Sequence, residues 1–206
     1  MQPVRPIVYV IDDDHIALWM FQEFLQGIGA EIRAYNSARA FLEAYHPGPH
    51  ECLVCDLRMP DMGGLEVQRQ LLEKRTCLPI ILVSAYPEVH SAVEAIKKGA
   101  FDFLEKPFKD NDLVDVVLRA IDSDTRRHAS QATQADIAGR MGLLTPREHE
   151  VMQRVLAGKF NKVIADELNI SMRTVEVHRS RVFEKMGVRS AVELAQLLAP
   201  GREGRD

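Results

Sequence analysis

Short apolar runs at residues 7–11, 52–55 and 80–83, with weaker ones at 30–35 and 101–104, alternate with stretches of helical periodicity. The helical patterns fall near residues 15–27, 38–45, 65–74, 89–98 and 111–126. Strand then helix, repeated, predicts a doubly wound, five-stranded parallel sheet with helices on both faces. Ser37 is placed to cap a helix, and Gly27 and Gly99 to stop two others.

The pattern changes after residue 120. Residues 121–140, "IDSDTRRHASQATQADIAGR", are polar, rich in alanine, glutamine and serine, and free of proline. Composition leaves open whether they extend the preceding helix or form a flexible linker. Beyond them four short helices are predicted. Thr145-Pro146-Arg147-Glu148 fits a capping box with proline at the first helical position, and Val151, Val155 and Leu156 supply one apolar face up to Gly158. A second helix covers 161–168. Ser171 caps a third, running to about Met186, and Ser190 with Glu193 caps the last, 191–198. The tight "LNISM" between the second and third suggests a helix-turn-helix. The expected divisions are a first domain over 1–125, a linker over 126–140, and a small all-α domain over 141–206.

Composition narrows the setting. No apolar stretch approaches the ~20 residues that span a bilayer, and "MQPVRPIVYV" enters a strand without a signal-peptide core. Three cysteines without a secretory signal fit a reducing, cytoplasmic location. Cys52 and Cys55 form a C-x-x-C inside a predicted strand, where residues three apart face opposite sides, so core thiols are expected rather than a metal site. Residues 1–139 hold 14 Lys+Arg against 21 Asp+Glu, a balance of −7, and residues 140–206 hold 12 against 9, a balance of +3, giving the total of −4. A basic C-terminal part hints at a nucleic-acid partner.

In open parallel sheets, ligands gather beyond the carboxyl ends of the strands. There the first strand delivers Asp12 and Asp13, the third Asp56, the fourth Ser84 and the fifth Lys106. Three aspartates in a row, Asp12-Asp13-Asp14, would cap the following helix on the simplest reading. With Asp56, Ser84 and Lys106 at matching strand ends, a hard oxygen-rich site for Mg²⁺ explains them better.

The segments "VYVIDDD", "LVCDLRMPDMGG", "IILVSAY" and "GAFDFLEKPF" resemble the receiver domain of two-component response regulators, a flavodoxin-like fold, over about residues 5–125. The resemblance implies that Asp56 accepts a phosphoryl group from a sensor histidine kinase. It implies that Asp12, Asp13, Asp56 and the backbone carbonyl of Arg58 hold Mg²⁺. Ser84 and Lys106 would bind the phosphoryl oxygens, Ser84 and Phe103 would form the switch, and a cis bond would precede Pro107. Phe103 also reads as a plain core aromatic. Pro87 and His90-Ser91 depart from the residues usual in the switch loop. Leu18, Trp19 and Met20 make the first helix unusually apolar. Either that patch docks a kinase or second receiver, or Trp19 lies against its own helix.

"LTPREHEV", "AGKFNKVIADEL" and "ISMRTVEVHRSRVFEKMGVRS" resemble the LuxR-type DNA-binding domain of NarL/FixJ regulators, over about residues 140–200. The resemblance implies that the third helix enters the major groove of double-stranded DNA, with Glu176, Val177 and Ser180 facing bases. Arg173, Thr174, Arg179, Arg181 and Lys162 would lie along the same interface, mostly on phosphates. The last helix carries more apolar residues than its own core requires, which suggests a homodimer surface at Val192, Leu194 and Leu197. The implied function is a phosphorylation-dependent transcription regulator that binds paired half-sites as a dimer. Two rivals remain. A phosphatase would want a second carboxylate two residues after its nucleophile, where this chain has Arg58. A constitutive DNA-binding protein would use the receiver only as an interaction module.

Overall fold

The computed structural model describes residues 4–86 and 89–199. Five strands, β1 (Ile7–Ile11), β2 (Glu31–Tyr35), β3 (Glu51–Asp56), β4 (Ile80–Ser84) and β5 (Asp102–Glu105), form one sheet in the order β2-β1-β3-β4-β5. Every pairing is parallel, so each connection must cross over, and helices supply the crossovers. These are α1 (His15–Leu25), α2 (Ala38–Ala44), α3 (Gly64–Glu73) and α4 (Val89–Lys97), with α5 (Asp110–Gly142) following β5.

Alternation along the buried strands splits the core into two layers. Tyr9, Ile11, Leu53, Cys55, Ile80 and Leu82 pack on one side with Phe41, Val67, Leu71 and Ala95. Val8, Val10, Cys52, Val54, Ile81 and Val83 pack on the other with Leu18, Phe21, Leu25, Leu113, Val116 and Val117. Cys52 and Cys55 therefore lie on opposite faces, both fully buried, and burial pushes both thiols up. Cys77 is the exposed cysteine.

At the amino end of β3 the sheet buries charge. Glu51 accepts from Tyr45 OH at 2.5 Å and from the Gly48 N–H at 3.1 Å, while its own N–H donates to Asp124 Oδ2 at 3.1 Å. Asp124 is fully buried on α5 and pairs with Arg127, whose guanidinium also donates to the Cys77 carbonyl. Burial raises the pKa of Glu51, and burial with the Glu51 contact raises that of Tyr45.

The chain divides into two compact units, Met1–Ala129 and Ser130–Asp206. The second contains α6 (Pro146–Leu156), α7 (Asn161–Leu168), α8 (Met172–Met186) and α9 (Ala191–Leu198). Thr145, Ser171 and Ser190 cap α6, α8 and α9 through their hydroxyls. Val151, Met152, Ile164, Val175, Val182, Met186 and Leu194 close a single core. Asn169 ends α7 in the left-handed region (φ 52°), which makes the turn into α8 tight. No helix among the described residues is long and apolar enough to cross a membrane.

Candidate functional site

The strand order reverses between β1 and β3, and the crevice that opens at their carboxyl ends is where such sheets bind ligands. Asp12 follows β1 and is 2% exposed, Asp56 ends β3, and the two face each other across the reversal. Ser84, also buried, ends β4, and Lys106 follows β5, where its N–H bonds the Ser84 carbonyl at 2.8 Å. The Lys106–Pro107 bond is cis.

Lys106 Nζ lies 2.6 Å from Asp12 Oδ2 and 2.7 Å from Asp56 Oδ1. Burial works against the ammonium, yet its hydrogen bonds to Asp12 and Asp56 outweigh that cost and its pKa is raised. The remaining oxygens are also engaged. Asp12 Oδ1 accepts from the Asp14 N–H at 2.9 Å, and Asp56 Oδ2 accepts from the Arg58 N–H at 2.8 Å. Ser84 Oγ accepts from the Tyr86 N–H at 3.2 Å, which leaves its own hydroxyl proton free to be donated.

The three consecutive aspartates have separate environments. Asp14 caps α1 by accepting from the Ile16 N–H at 2.8 Å, Asp12 turns inward to Lys106, and Asp13 is exposed beside it. The tight loop after β3 depends on Gly64, where a Cβ would meet the Asp56 carbonyl at 2.8 Å and Leu82 at 2.6 Å. Any side chain there would move the end of β3 and with it Asp56.

Among the described residues, the side chains that converge on Lys106 are carboxylates, without imidazole or thiolate. Such a set suits Mg²⁺, which takes one or two carboxylates and fills its shell with water or phosphate oxygens. Among the described residues no three His, Cys, Asp or Glu side chains form a ready cage, and the positive charge between Asp12 and Asp56 is Lys106.

Sequence reasoning did not find Tyr86, which is 71% exposed and carries the Arg58 guanidinium over its ring at 5.8 Å to the centroid. Phe103 is half-buried on β5 against the Phe41 layer. Trp19 is 60% exposed beside exposed Ile16 and Met20. A nearby pocket of about 300 Å³ is lined by Met20, Phe21, Phe24, Pro107 and Phe108. Pro87 lies outside the described residues, whereas His90 is exposed and Ser91 half-buried on α4.

In the second unit, Arg173, Glu176, Val177, Ser180 and Arg181 share the exposed side of α8, and Lys162 is exposed on α7. Thr174 is half-buried and its hydroxyl lies 2.8 Å from that of the Ser171 cap. Arg179 is turned inward: it donates to Asn161 Oδ1 at 2.5 Å and lies over the Phe183 ring. Lys185 also serves the fold, donating to Glu148 at 2.6 Å and to the Leu143 carbonyl at 3.0 Å. For the suggested dimer surface one correction is needed. Leu194 is fully buried in its own core and offers nothing to a partner; Val192 is 66% exposed, and Leu197 is half-buried. The number of apolar residues on α9 carries no helical phase, and it is the phase that turns Leu194 inward.

Glu148 completes the capping box, accepting from the Thr145 N–H at 2.8 Å. The Lys185 ammonium and that N–H hold its carboxyl down to about 2. A depressed carboxyl contributes stability above its unfolded value and loses it as pH falls through the folded one. Glu148→Gln should therefore flatten the fall in melting temperature between the ordinary value of 4.5 and about pH 2. Circular dichroism melts of the full chain measure this slope, and a slope equal to the wild type's would count against the ion pair.

Residues 8–118 match the response regulator receiver domain, and residues 142–198 match the luxR family of bacterial regulatory proteins. The chain is 40% identical to the transcriptional regulatory protein FixJ of Bradyrhizobium diazoefficiens over 92% of its length and 93% of that protein's. It is 36% identical to nodulation protein W of the same organism, covering 94% of this chain and 85% of that one. Among solved structures, the response regulator StyR superposes with a TM-score of 0.86 at 36% identity, covering 95% of this chain and 98% of that one.

Proposed function

Because this chain belongs to the NarL/FixJ family of response regulators, transcription regulators that join a receiver to a LuxR-type DNA-binding domain, we propose that Asp56 is the phospho-acceptor that switches it. The observation that carries this reading is the convergence of Asp12 and Asp56 on Lys106 at the strand-order reversal. A histidine kinase is the donor. One Asp56 oxygen forms a bond to phosphorus as the P–N bond to the kinase histidine breaks, and the departing imidazole keeps the electron pair. The exposed patch of Ile16, Trp19 and Met20 on α1 is the surface offered to that kinase.

Asp12, Asp13, Asp56 and the Arg58 carbonyl would hold Mg²⁺, which when bound neutralises charge on the phosphoryl oxygens. The chain's own groups do the positioning. The Arg58 N–H and Lys106 hold the Asp56 carboxylate from two sides, so the nucleophile is oriented before a donor arrives. After transfer, Lys106 and the Ser84 hydroxyl donate to the new phosphoryl oxygens. Ser84 moving inward leaves room for half-buried Phe103 to follow, which alters the surface that α4 and β5 present.

DNA is the second partner. Glu176, Val177 and Ser180 meet base edges, while Arg173, Thr174, Arg181 and Lys162 meet phosphates. Arg179 contributes by fixing α8 against Asn161 at the start of α7. Phosphorylated chains pair, with Val192 and Leu197 at the α9 contact, and a pair on two half-sites gains affinity because its second contact is intramolecular. Light scattering with Mg²⁺ and acetyl phosphate should show the mass double. A mass that stays monomeric, with and without DNA, would sink the dimer switch.

Lys106 has two opposed effects that one substitution separates. In Lys106→Met, Asp12 and Asp56 lose their shared ammonium, and apparent Mg²⁺ affinity measured by calorimetry should rise about tenfold. Transfer from acetyl phosphate should slow by about a hundredfold, because no fixed cation meets the equatorial oxygens. Weaker Mg²⁺ binding in the variant would contradict this account.

A further inference from the structure

We propose that Arg140 is a positioning residue for DNA recognition: from the last turn of α5 it latches the carboxyl end of α8 and so sets the direction in which that helix points. The proposal rests on the reading of α8 as the helix that meets base edges.

The contacts gather at one end of α8. Gly187 closes the helix in the left-handed region (φ 68°), and its N–H is shared by the Glu184 and Phe183 carbonyls. The Met186 carbonyl lies too near the helix end for an intrahelical partner, and Arg140 Nη1 donates to it at 2.9 Å. A cation there also meets the negative end of the helix dipole. Arg140 Nη2 is held in turn by Asp136, one turn back on α5, at 2.8 Å. The guanidinium has room because residue 187 is glycine: a Cβ there would lie 2.5 Å from Arg140 Nη1. Lys185 adds a second tie, to the Leu143 carbonyl and to Glu148. The junction of α5 and α6 thus holds the same end of α8 at two points.

The residues proposed to meet bases belong to the other half of the helix. The middle of α8 is held where Arg179 meets Asn161. Met186 lies about 10 Å along the axis to one side of Arg179, and Arg173 about 9 Å to the other. A slip of about 1 Å at the latch therefore moves Arg173 by almost as much, enough to weaken hydrogen bonds to base edges. Phosphate contacts made by long side chains tolerate such a shift, so the latch bears on sequence preference more than on general attraction to DNA.

The probe is a duplex of about 30 base pairs, recovered by the wild-type chain from a random pool, beside a scrambled duplex of the same length and composition. Fluorescence anisotropy with the full chain reads the affinity for both across a salt series. Arg140→Met keeps the stem and the helix propensity but removes the donors. It should bind the selected duplex about tenfold more weakly, and the scrambled duplex as the wild type does, with an unchanged salt slope. Arg140→Lys restores a donor and should recover most of the loss. Asp136→Ala, which leaves the guanidinium unbraced, should lose about threefold on the selected duplex alone.

Unchanged affinity for the selected duplex in Arg140→Met overturns the proposal. So does an equal loss on both duplexes, which would make Arg140 a residue of stability only, and so does a salt slope shallower by about one, which would make it a phosphate contact. Glu176→Ala tests the reading beneath, since it should lower selectivity by itself. If it does and Arg140→Met does not, the latch alone is wrong; if neither does, α8 is not the reading helix and both fall. If Arg140→Met does not fold, Asp136→Ala on the two duplexes decides.

Discussion

Asp56→Ala should take up no phosphoryl group from acetyl phosphate and Mg²⁺, a loss of about a thousandfold or more in rate, while its melting temperature should stay close to the wild type's. Neither neighbour can substitute. Asp12 is buried with its two oxygens committed to the Asp14 N–H and Lys106, and Asp13 lacks both the Arg58 N–H and the ammonium that orient Asp56. Ser84 has a hydroxyl but, among the described residues, no base within its hydrogen bonds to activate it. Stability is spared because Lys106 keeps Asp12, so no buried charge is left alone. Intact-protein mass after incubation reads the outcome. A phosphorylated Asp56→Ala would move the acceptor elsewhere in the crevice, and a variant that pairs in solution like the wild type would favour a receiver that acts without phosphate.

Asp124→Ala should lower the stability of the N-terminal unit by about 3 kcal/mol, a large share of the 5–15 kcal/mol typical of a domain. Asp124 is fully buried and carries two obligations at once: it accepts from the Glu51 N–H, and it balances Arg127. Its removal leaves the Glu51 N–H without a partner and Arg127 without its counter-charge, holding only the Cys77 carbonyl. Asp124→Asn keeps an acceptor for the N–H and loses only the charge, so its cost should be about half. Urea unfolding followed by the fluorescence of Trp19, the single tryptophan and a residue of α1, isolates the N-terminal unit. A loss under about 1 kcal/mol would mean that water replaces the carboxylate without penalty.

Much of the first unit was legible because β1, β3 and β4 are short, apolar and buried on both faces, and because acidic and hydroxyl residues sit at their carboxyl ends. The boundaries of β1 and the end of β3 at Asp56 follow from that pattern. α5 was harder. Its apolar stripe ends at Ile121, and periodicity says nothing about the polar residues beyond, yet the helix continues to Gly142. Ion pairs one turn apart, Asp122–Arg126 and Asp136–Arg140, run through that polar stretch and support it. The Glu51–Asp124 contact joins residues far apart in the chain and has no local signature except one: Asp124 falls on the apolar stripe of Leu113, Val117, Ala120 and Ile121. A carboxylate in that phase demands a buried partner, and that signal went unused. In the second unit the caps were readable from Thr145, Ser171 and Ser190. The inward turn of Arg179 and Lys185 was not, because a long basic side chain on a short helix can reach either solvent or a neighbouring carbonyl.

The ammonium of Lys106 between two carboxylates also bears on how the protein matures in a cell. Since this internal counterion already relieves the repulsion between Asp12 and Asp56, the fold around them should form without waiting for a divalent ion.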